Sequence, residues 1–249
     1  MSIAQQNTLL QVNGFCPICN APAFFYSHSP WIRDFFRCEG CGSIPRERAL
    51  MAAIEMFYPR WRTMAIHESS PIKRGVSPRL KRECSAYTAS FYDPAVPLGG
   101  IHPQHGYRSE NLEQLTFADA SFDLVLTQEV FEHIFHPDRA IKEIDRVLKP
   151  GGAYIMTVPL VMKSNASRRR ASIDANGNVT YLEDAQYHGD PINERGALVT
   201  IDWGYDILGY LSHHSSLQSA MIYIDDLSRG IRAEFIEVVV CKKEMIPSL

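Results

Sequence analysis

Apolar positions along this chain form two alternating patterns, short continuous runs and longer stretches with helical spacing. Continuous runs predict strands buried on both faces of a sheet. The predicted strands are MAIHES (64–69), SAYTAS (85–90), FDLVLTQEV (122–130) and AYIMTVPL (153–160). Residues 137–148 place apolar side chains on one helical face, and the following KPGG predicts a turn that ends this helix. The succession predicts an α/β fold with a doubly wound, mostly parallel sheet.

The same patterns predict one more helix and the last two strands. The stretch PRERALMAAIEMFYPRW (45–61) places apolar residues on one helical face after a proline suited to a first turn, and Pro59 is expected to end the helix. SAMIYID (219–225) and EFIEVVVCKK (234–243) are joined by a short polar segment. We expect these two strands to form an antiparallel pair at one edge of the sheet.

Length and composition favour a globular protein with two units. The chain has 249 residues, of which 45% are hydrophobic and 21% charged, and a net charge of -3, so its bulk charge does not indicate nucleic-acid binding. We predict a small unit over residues 1–45, a connecting helix over 46–60 and an α/β domain over 61–249. No secretion signal or membrane-spanning stretch is recognisable, so we expect a cytoplasmic protein with no membrane partner.

Four of the six cysteines form two Cys-x-x-Cys pairs. Eighteen residues separate the pairs, a spacing typical of a four-thiolate zinc site. The predicted ligands are Cys16, Cys19, Cys38 and Cys41. Because four protein sulfurs leave no open coordination position, we expect a structural Zn²⁺ in a zinc ribbon. The remaining two cysteines are interpreted as small buried apolar residues.

Residues 110–159 carry three features in a fixed order: LTFADASFDLV (115–125), Glu132-His133 and EIDRVLKPGG (143–152). This block resembles the class I S-adenosylmethionine-dependent methyltransferases, particularly their type 11 group. The resemblance implies a Rossmann-like seven-stranded sheet of order 3-2-1-4-5-7-6, with S-adenosylmethionine at the carboxyl ends of strands 1, 2 and 4. Residues 61–249 would then be the methyltransferase domain.

The loop after the first predicted strand departs from that family. Most members have glycines there, whereas this chain has His67-Glu68-Ser69-Ser70-Pro71. Together with YTASFY (87–92), GYRSENLEQLTF (106–117) and YHGDPI (187–192), the loop resembles a subset of methyltransferases that carries it in place of the glycines. Because S-adenosylmethionine has no pyrophosphate, a turn of small residues with hydroxyl and N–H groups can still seat its carboxylate. The loop is therefore interpreted as substituted rather than lost.

The resemblance supplies a set of cofactor-binding candidates. They are His67, Glu68, Ser69, Ser70, Ser90, Asp93, Glu110, Asn111 and Gln128. Glu68 or Asp93 is expected to bind the ribose hydroxyls, because the second strand ends in a serine where an acid is usual. Glu68 could instead be a solvated loop carboxylate or a helix cap.

The remaining cofactor candidates follow the family pattern farther along the chain. Glu110 and Asn111 fall where an acid or amide binds the adenine amino group. Gln128 falls where the methionine end of the cofactor and the acceptor meet. A polar residue at the end of a strand is often only a loop residue, so each of these roles is a hypothesis.

Three residues are candidates for catalysis. Methyl transfer is an in-line displacement in which the protein aligns the acceptor and, for a hydroxyl or ammonium group, removes a proton. Tyr187 and His188 lie in a polar and aromatic stretch where this superfamily inserts substrate-recognition elements, although the stretch could merely cover the site. His133 follows the fourth strand and could be catalytic or orient the next helix.

Three functions compete at this stage. The first is methyl transfer to a small-molecule or saccharide-linked acceptor, favoured by the slight acidity of the chain and by the aromatic, polar insertion. The second is RNA methylation, with the ribbon positioning RNA and Arg168-Arg169-Arg170 contacting phosphates or another anion. The third is a non-catalytic scaffold whose altered loop no longer binds cofactor.

Overall fold

The N-terminal part of the chain forms a small antiparallel sheet followed by a buried helix. The computed structural model describes residues 8–190 and 192–245. The first elements are β1 (Leu10–Cys16), β2 (Ala21–Ser27), α1 (Ile32–Phe35), β3 (Arg37–Cys38) and α2 (Pro45–Phe57). A helix is present where the connecting helix was predicted over residues 46–60, but it begins at Pro45 and ends at Phe57. Residues 1–7 of the predicted N-terminal unit, Pro191 of YHGDPI and residues 246–249 lie outside the described residues.

Alternating strands and helices make up the rest of the chain. After a 3₁₀ turn (Trp61–Thr63) come β4 (Ala65–Ser69), α3 (Val76–Glu83), β5 (Ala86–Phe91), β6 (Arg108–Ser109), β7 (Phe122–Gln128), a 3₁₀ turn (Phe131–His133), α4 (Pro137–Val147) and β8 (Leu148–Thr157). An insertion contains β9 (Arg168–Arg169), β10 (Ala171–Ile173), β11 (Val179–Tyr181), β12 (Tyr187–His188), β13 (Ala197–Leu198) and β14 (Ile201–Asp202). The last elements are α5 (Ile207–His214), β15 (Gln218–Ile222), a 3₁₀ turn (Leu227–Arg229) and β16 (Val238–Lys242).

Seven of these strands form one mixed sheet. Its order is β6-β5-β4-β7-β8-β16-β15, the predicted 3-2-1-4-5-7-6 arrangement. Strands β4 to β8 are parallel, and β16 runs antiparallel to both β8 and β15. The predicted Rossmann-like class and the antiparallel pair at one edge are therefore confirmed. The strand order reverses between β4 and β7, which opens a crevice at their carboxyl ends.

The predicted end of the helix at KPGG is confirmed, but these residues do not form a separate turn. Helix α4 ends at Val147, and β8 already begins at Leu148, so these four residues lie inside the strand. Leu148 pairs with Phe122, while the next pair is Ala153 with Leu124. Residues 149–152 thus form a bulge opposite one residue of β7, and a glycine with positive φ (+80°) allows the bend.

One hydrophobic core continues from the ribbon into the large sheet. Phe25 and Phe36 of the N-terminal unit share it with Leu124 of β7, Ile155 of β8 and Val238 of β16. Helix α2 lies between the two, and seven of its apolar or proline side chains are buried. The ribbon is therefore packed on the α/β domain, a point that the sequence left open. The predicted boundaries at 45 and 60 remain predictions.

Across residues 8–190 and 192–245, no helix combines the length and the apolar character that a membrane crossing requires.

Candidate functional site

A cavity of about 2020 Å³ lies at the carboxyl ends of β4 and β7. Its wall on the sheet side includes Ser69, Ser70 and Gln128, and the insertion supplies Tyr187 and His188. The volume exceeds the roughly 300–1,000 Å³ of typical ligand sites. The cavity can therefore hold a nucleoside-sized ligand and a second molecule side by side.

The glycine-poor loop forms a tight turn at the edge of this cavity. Ser70 has a positive φ of 56°, a conformation that glycine adopts without strain. Its N–H donates to the Ser90 carbonyl at 2.8 Å, and the Ile72 N–H donates to the Ser77 hydroxyl at 3.1 Å. The turn that glycines make elsewhere is thus held here by hydrogen bonds to β5 and α3. Ser69 and Ser70, two of the cofactor-binding candidates, both line the cavity.

Glu68 lies beneath this loop. The residue is 1% exposed, and its Oε1 accepts hydrogen bonds from Ser77 (2.6 Å) and the Gln128 amide (2.8 Å). Its Oε2 accepts one from the Tyr87 hydroxyl at 2.7 Å. Burial raises the pKa of Glu68, although the three hydrogen bonds oppose that effect. The side chain is not part of the cavity wall, so the geometry favours a structural role over ribose binding.

Three other cofactor candidates also lie behind the wall. His67 and Ser90 are fully buried and share a hydrogen bond of 2.8 Å. Asp93 accepts hydrogen bonds from the Tyr107 hydroxyl (2.6 Å) and from the Ala95 N–H (2.9 Å). None of these three side chains lines the cavity, which does not favour direct contact with a cofactor bound there.

Three further candidates line the cavity. The Glu110 carboxylate accepts hydrogen bonds from Arg108 (2.6 Å) and from the Thr116 N–H (2.9 Å), so it is occupied by its own chain. Asn111 is half-buried, with Oδ1 accepting from the Glu113 N–H at 2.9 Å. Gln128 uses its amide N–H group internally. Of the predicted adenine pair, Asn111 is the one whose side chain can reach a ligand.

The three catalytic candidates lie in the same cavity, and two of them share a partner. His133 Nε2 lies 3.6 Å and His188 Nδ1 3.5 Å from Oε1 of Glu132. The imidazole centroids are 5.2 Å apart at 90°. The Glu132 carboxylate raises the pKa of His188 against the opposing effect of burial. Tyr187 is half exposed on the cavity wall.

Several residues of this wall were not identified from the sequence. Glu129 and Glu132 line the cavity, and the spacing Glu129-x-x-Glu132-His133 was the available signal. Arg33 and Arg46, from the N-terminal part of the chain, both pair with the Glu129 carboxylate. Burial opposes ionisation of Glu129, but the two guanidinium groups outweigh it and lower its pKa. No local sequence pattern predicts that residues of the N-terminal part of the chain line this cavity.

The three consecutive arginines serve mainly to hold the insertion together. Arg168 and Arg170 contact the same carboxylate oxygen of Asp202, at 2.9 and 2.8 Å. Arg169 donates to the Phe135 carbonyl at 2.9 Å. Because their guanidinium groups are engaged within the chain, they offer little free charge to a phosphate.

The four predicted zinc ligands form a second, separate cluster. The sulfur atoms of Cys16 and Cys41, and those of Cys19 and Cys38, are 3.8 Å apart. Zinc–sulfur bonds of about 2.3 Å in a tetrahedron require sulfur–sulfur distances of about 3.8 Å. The cluster therefore fits a zinc ion with four thiolate ligands, as the cysteine spacing predicts.

Comparisons with known proteins found a family model and solved structures that are similar to this chain. The family model described as "Methyltransferase domain" matches residues 92–156. An S-adenosylmethionine-dependent methyltransferase structure from Mesorhizobium loti aligns with 78% of this chain and 98% of its own, with a TM-score of 0.50 and 17% identity. The chain has the class I methyltransferase fold. The resemblance seen in residues 110–159 is thereby confirmed, and family and fold together support S-adenosylmethionine as the cofactor.

Curated relatives match only part of this chain in sequence. A ubiquinone/menaquinone biosynthesis C-methyltransferase of Hydrogenovibrio crunogenus is 30% identical over 128 residues, 45% of this chain and 50% of that protein. A dimethylglycine N-methyltransferase of Parasynechococcus marenigrum is 36% identical over 61 residues, 24% of this chain and 22% of that protein. The chain thus spans half or less of the length of these relatives. Since they methylate carbon and nitrogen respectively, the likeness does not define an acceptor.

Proposed function

We propose that this protein transfers a methyl group from S-adenosylmethionine to a small-molecule or saccharide-linked acceptor. The observation that carries the proposal is the cavity of about 2020 Å³ at the carboxyl ends of β4 and β7, in a class I methyltransferase fold. When bound, S-adenosylmethionine supplies an electrophilic methyl group on sulfur. The chain supplies a single cavity in which the two reactants are aligned.

The cofactor side of the cavity is formed by Ser69, Ser70, Asn111 and Gln128. The loop at Ser69 and Ser70 offers small side chains and a tight turn to the methionine end. Asn111 presents an amide toward the place where the fold holds adenine. Gln128 is anchored by its amide nitrogen to Glu68 at 2.8 Å, which fixes its orientation beside the methionine end.

The acceptor side is formed by the insertion and by the N-terminal part of the chain. Tyr187 and His188 come from β12, and Trp31 and Arg33 come from the ribbon side. Aromatic and polar side chains on one wall suit a compact, oxygen-rich molecule. The mixed charge of the wall does not resemble a basic groove for a nucleic-acid backbone.

RNA methylation is the weaker alternative. The net charge is -3, and two of the three consecutive arginines are paired with Asp202. An RNA enzyme should lose affinity steeply as salt rises, because its cations displace counterions from phosphates. A non-catalytic scaffold, the third hypothesis, would keep its fold and zinc but ignore the cofactor.

Titration calorimetry with S-adenosylmethionine and its demethylated product tests the proposal. We expect binding to the zinc-loaded protein, weakened about tenfold by Asn111→Ala, the equivalent of about 1.4 kcal/mol for one lost hydrogen bond. Asn13→Ala, on an exposed position of β1, is the matched control and should bind as the wild type does. Absence of binding to the folded wild type would favour the scaffold, and equal affinities in both variants would remove Asn111 from the site.

A further inference from the structure

We propose that Glu132, His133 and His188 bind a divalent transition-metal ion in the wall of the cavity. This site is separate from the four cysteines, which have their own cluster of sulfurs. One candidate ligand atom from each of the three side chains lies within 4.8 Å of the others. The ion would face the space in which the acceptor binds.

The first argument is the state of Glu132. The residue is 2% exposed, yet neither of its carboxylate oxygens has a hydrogen-bond partner among residues 8–190 and 192–245. An unpaired buried carboxylate costs several kcal/mol, and such groups are normally paired or bound to a metal. We therefore expect a cation to compensate this charge, between the Glu132 carboxylate and the imidazoles of His133 and His188 that face it.

The second argument is the tautomer of His133. Its Nδ1 lies 2.9 Å from the Leu198 carbonyl, which can only accept a hydrogen bond. Nδ1 therefore carries the proton, and in the neutral ring Nε2 presents a lone pair toward Glu132. Metal-binding histidines commonly have this arrangement, in which the second ring nitrogen donates to a carbonyl and fixes the ring.

The third argument is geometric. The nitrogen–oxygen separations of 3.6 Å (His133) and 3.5 Å (His188) to Glu132 are too long for hydrogen bonds. They are close to the edge of about 3.4 Å in a tetrahedron with bonds of about 2.1 Å to a central ion. Two imidazoles and one carboxylate are a typical ligand set for Zn²⁺, Fe²⁺ or Co²⁺, with at least one position left open.

A simple ion pair is the competing account of this cluster. The Gln186 amide nitrogen can only donate and lies 3.4 Å from His188 Nε2, so this contact places the His188 proton on Nδ1, which faces Glu132. An interaction of His188 with Glu132, through this N–H group or as an imidazolium, could take the place of a metal. It would not explain why a second ring presents a lone pair to the same oxygen. The ion pair is therefore treated as an outcome of the test.

The metal would give the acceptor a defined position, an inference that rests on the proposed function. A hydroxyl oxygen in the open coordination position becomes more acidic, and its proton passes to water in the cavity. The oxygen then forms a bond to the methyl carbon as the bond from carbon to sulfur breaks, and the sulfur keeps the electron pair. The inferred acceptor class is a molecule with a metal-binding hydroxyl group.

Cobalt titration of the protein carrying one equivalent of Zn²⁺ tests the metal site without cofactor or acceptor. The probe is Co²⁺ alone, followed by absorption and calorimetry. We expect one further equivalent to bind, with visible ligand-field bands and without the intense near-ultraviolet absorption of cobalt thiolates. Absence of a second equivalent would leave the ion pair as the explanation and overturn the proposal, as would a spectrum showing only thiolate ligation.

Ligand variants locate the second ion. His188→Ala and Glu132→Gln should each weaken Co²⁺ binding at this site by at least about 100-fold. His213→Ala, which removes an exposed histidine on α5, is the matched control and should bind Co²⁺ as the wild type does. Unchanged binding in a folded His188→Ala variant overturns the assignment. If Glu132→Gln does not fold, as circular dichroism would show, His188→Ala alone decides, because its ring is partly exposed in the insertion.

Cofactor calorimetry on the same samples separates this proposal from the function itself. If S-adenosylmethionine binds but Co²⁺ does not occupy a second site, the proposed metal site is rejected and the proposed methyl transfer is retained. A second Co²⁺ without cofactor binding would keep the metal site and reject the proposed transfer.

Discussion

His67 shows how a residue that sequence reasoning placed in the site belongs to the core. Its ring packs against Phe117 and Phe122, with centroids 4.9 and 5.3 Å away. Nε2 shares a hydrogen bond with Ser90, and Nδ1 has no partner among the residues that the structure describes. Burial, with a smaller contribution from Arg108, lowers the pKa of His67 from 6.5 to about 3. The ring is therefore neutral at physiological pH and acts as a packing residue.

This depressed pKa predicts acid sensitivity. Because the unfolded chain binds a proton near pH 6.5 and the folded chain only near 3, stability is fully present above 6.5 and is lost as pH falls between these values. The loss should approach about 1.4 kcal/mol per pH unit. Urea unfolding at pH 7 and pH 4.5 should show a smaller loss in His67→Phe/Ser90→Ala, which removes both partners of the hydrogen bond. Ser90→Ala alone retains the ionisable ring and should lose stability as the wild type does; equal losses in all three proteins would contradict the assignment.

At the scale of elements, Glu68 joins four pieces of structure. It extends from β4 and accepts hydrogen bonds from Ser77 of α3, Tyr87 of β5 and Gln128 of β7. The Ser77 hydroxyl in turn accepts from the Ile72 N–H in the loop. This network positions the turn that replaces the usual glycines, and it gives Gln128 its orientation toward the cavity.

Removing this carboxylate should destabilise the domain. Glu68→Ala removes the acceptor of three hydrogen bonds, of which only the one from Gln128 has a second acceptor in Ser77, and we expect the free energy of unfolding to fall by about 3 kcal/mol in a urea titration. Tyr87→Phe removes one hydrogen bond and should cost about 1 kcal/mol. If Glu68→Ala unfolds at the same urea concentration as the wild type, the network does not stabilise the fold. That result would favour the hypothesis that Glu68 binds the ribose hydroxyls.

At the scale of the whole molecule, the ribbon and the α/β domain act as one unit. Arg48 of α2 is fully buried and stacks on Phe25, with its guanidinium carbon 4.8 Å from the ring centroid. It donates hydrogen bonds to two carbonyl groups. One belongs to Phe36, directly before β3 (2.8 Å), and the other to Gly230, in the loop before β16 (2.7 Å). The ribbon side also contributes Arg33 to the cavity wall. We therefore expect that disrupting the four-cysteine cluster also changes the wall of the cavity.

Zinc removal tests this coupling. With the four-thiolate site emptied by a chelator, we expect one cooperative transition whose midpoint is lowered by about 10 °C, since losing a tightly bound ion costs about 3–4 kcal/mol in a chain of this size. Differential scanning calorimetry with and without added zinc measures it. The His188→Ala variant should respond as the wild type does, which separates the cysteine site from the proposed second ion. Two well-separated transitions would instead show that the units unfold independently.

The sequence by itself determined most of the architecture. Apolar runs and helical spacing identified the strands and helices, because burial on one or two faces leaves a periodic trace along the chain. The cysteine spacing predicted the four-thiolate cluster, and a matched block of about fifty residues predicted the strand order. The bulge at KPGG was not predicted, because proline and glycine indicate the end of a helix but do not determine where the following strand begins.

Only the tertiary structure decided what each polar side chain does. Glu68 and Gln128 are distant in the chain but bonded to each other across β4 and β7. Glu132 faces His188 because the insertion folds back over the sheet, with Thr200 hydrogen-bonded to the Glu132 carbonyl at 2.8 Å. Burial and partners are properties of the packed chain, and hydrogen bonds or metal ligands from separate elements leave no periodic signal. The sequence therefore predicted a site at the end of the sheet where the cavity lies, and packing determined which side chains line that cavity.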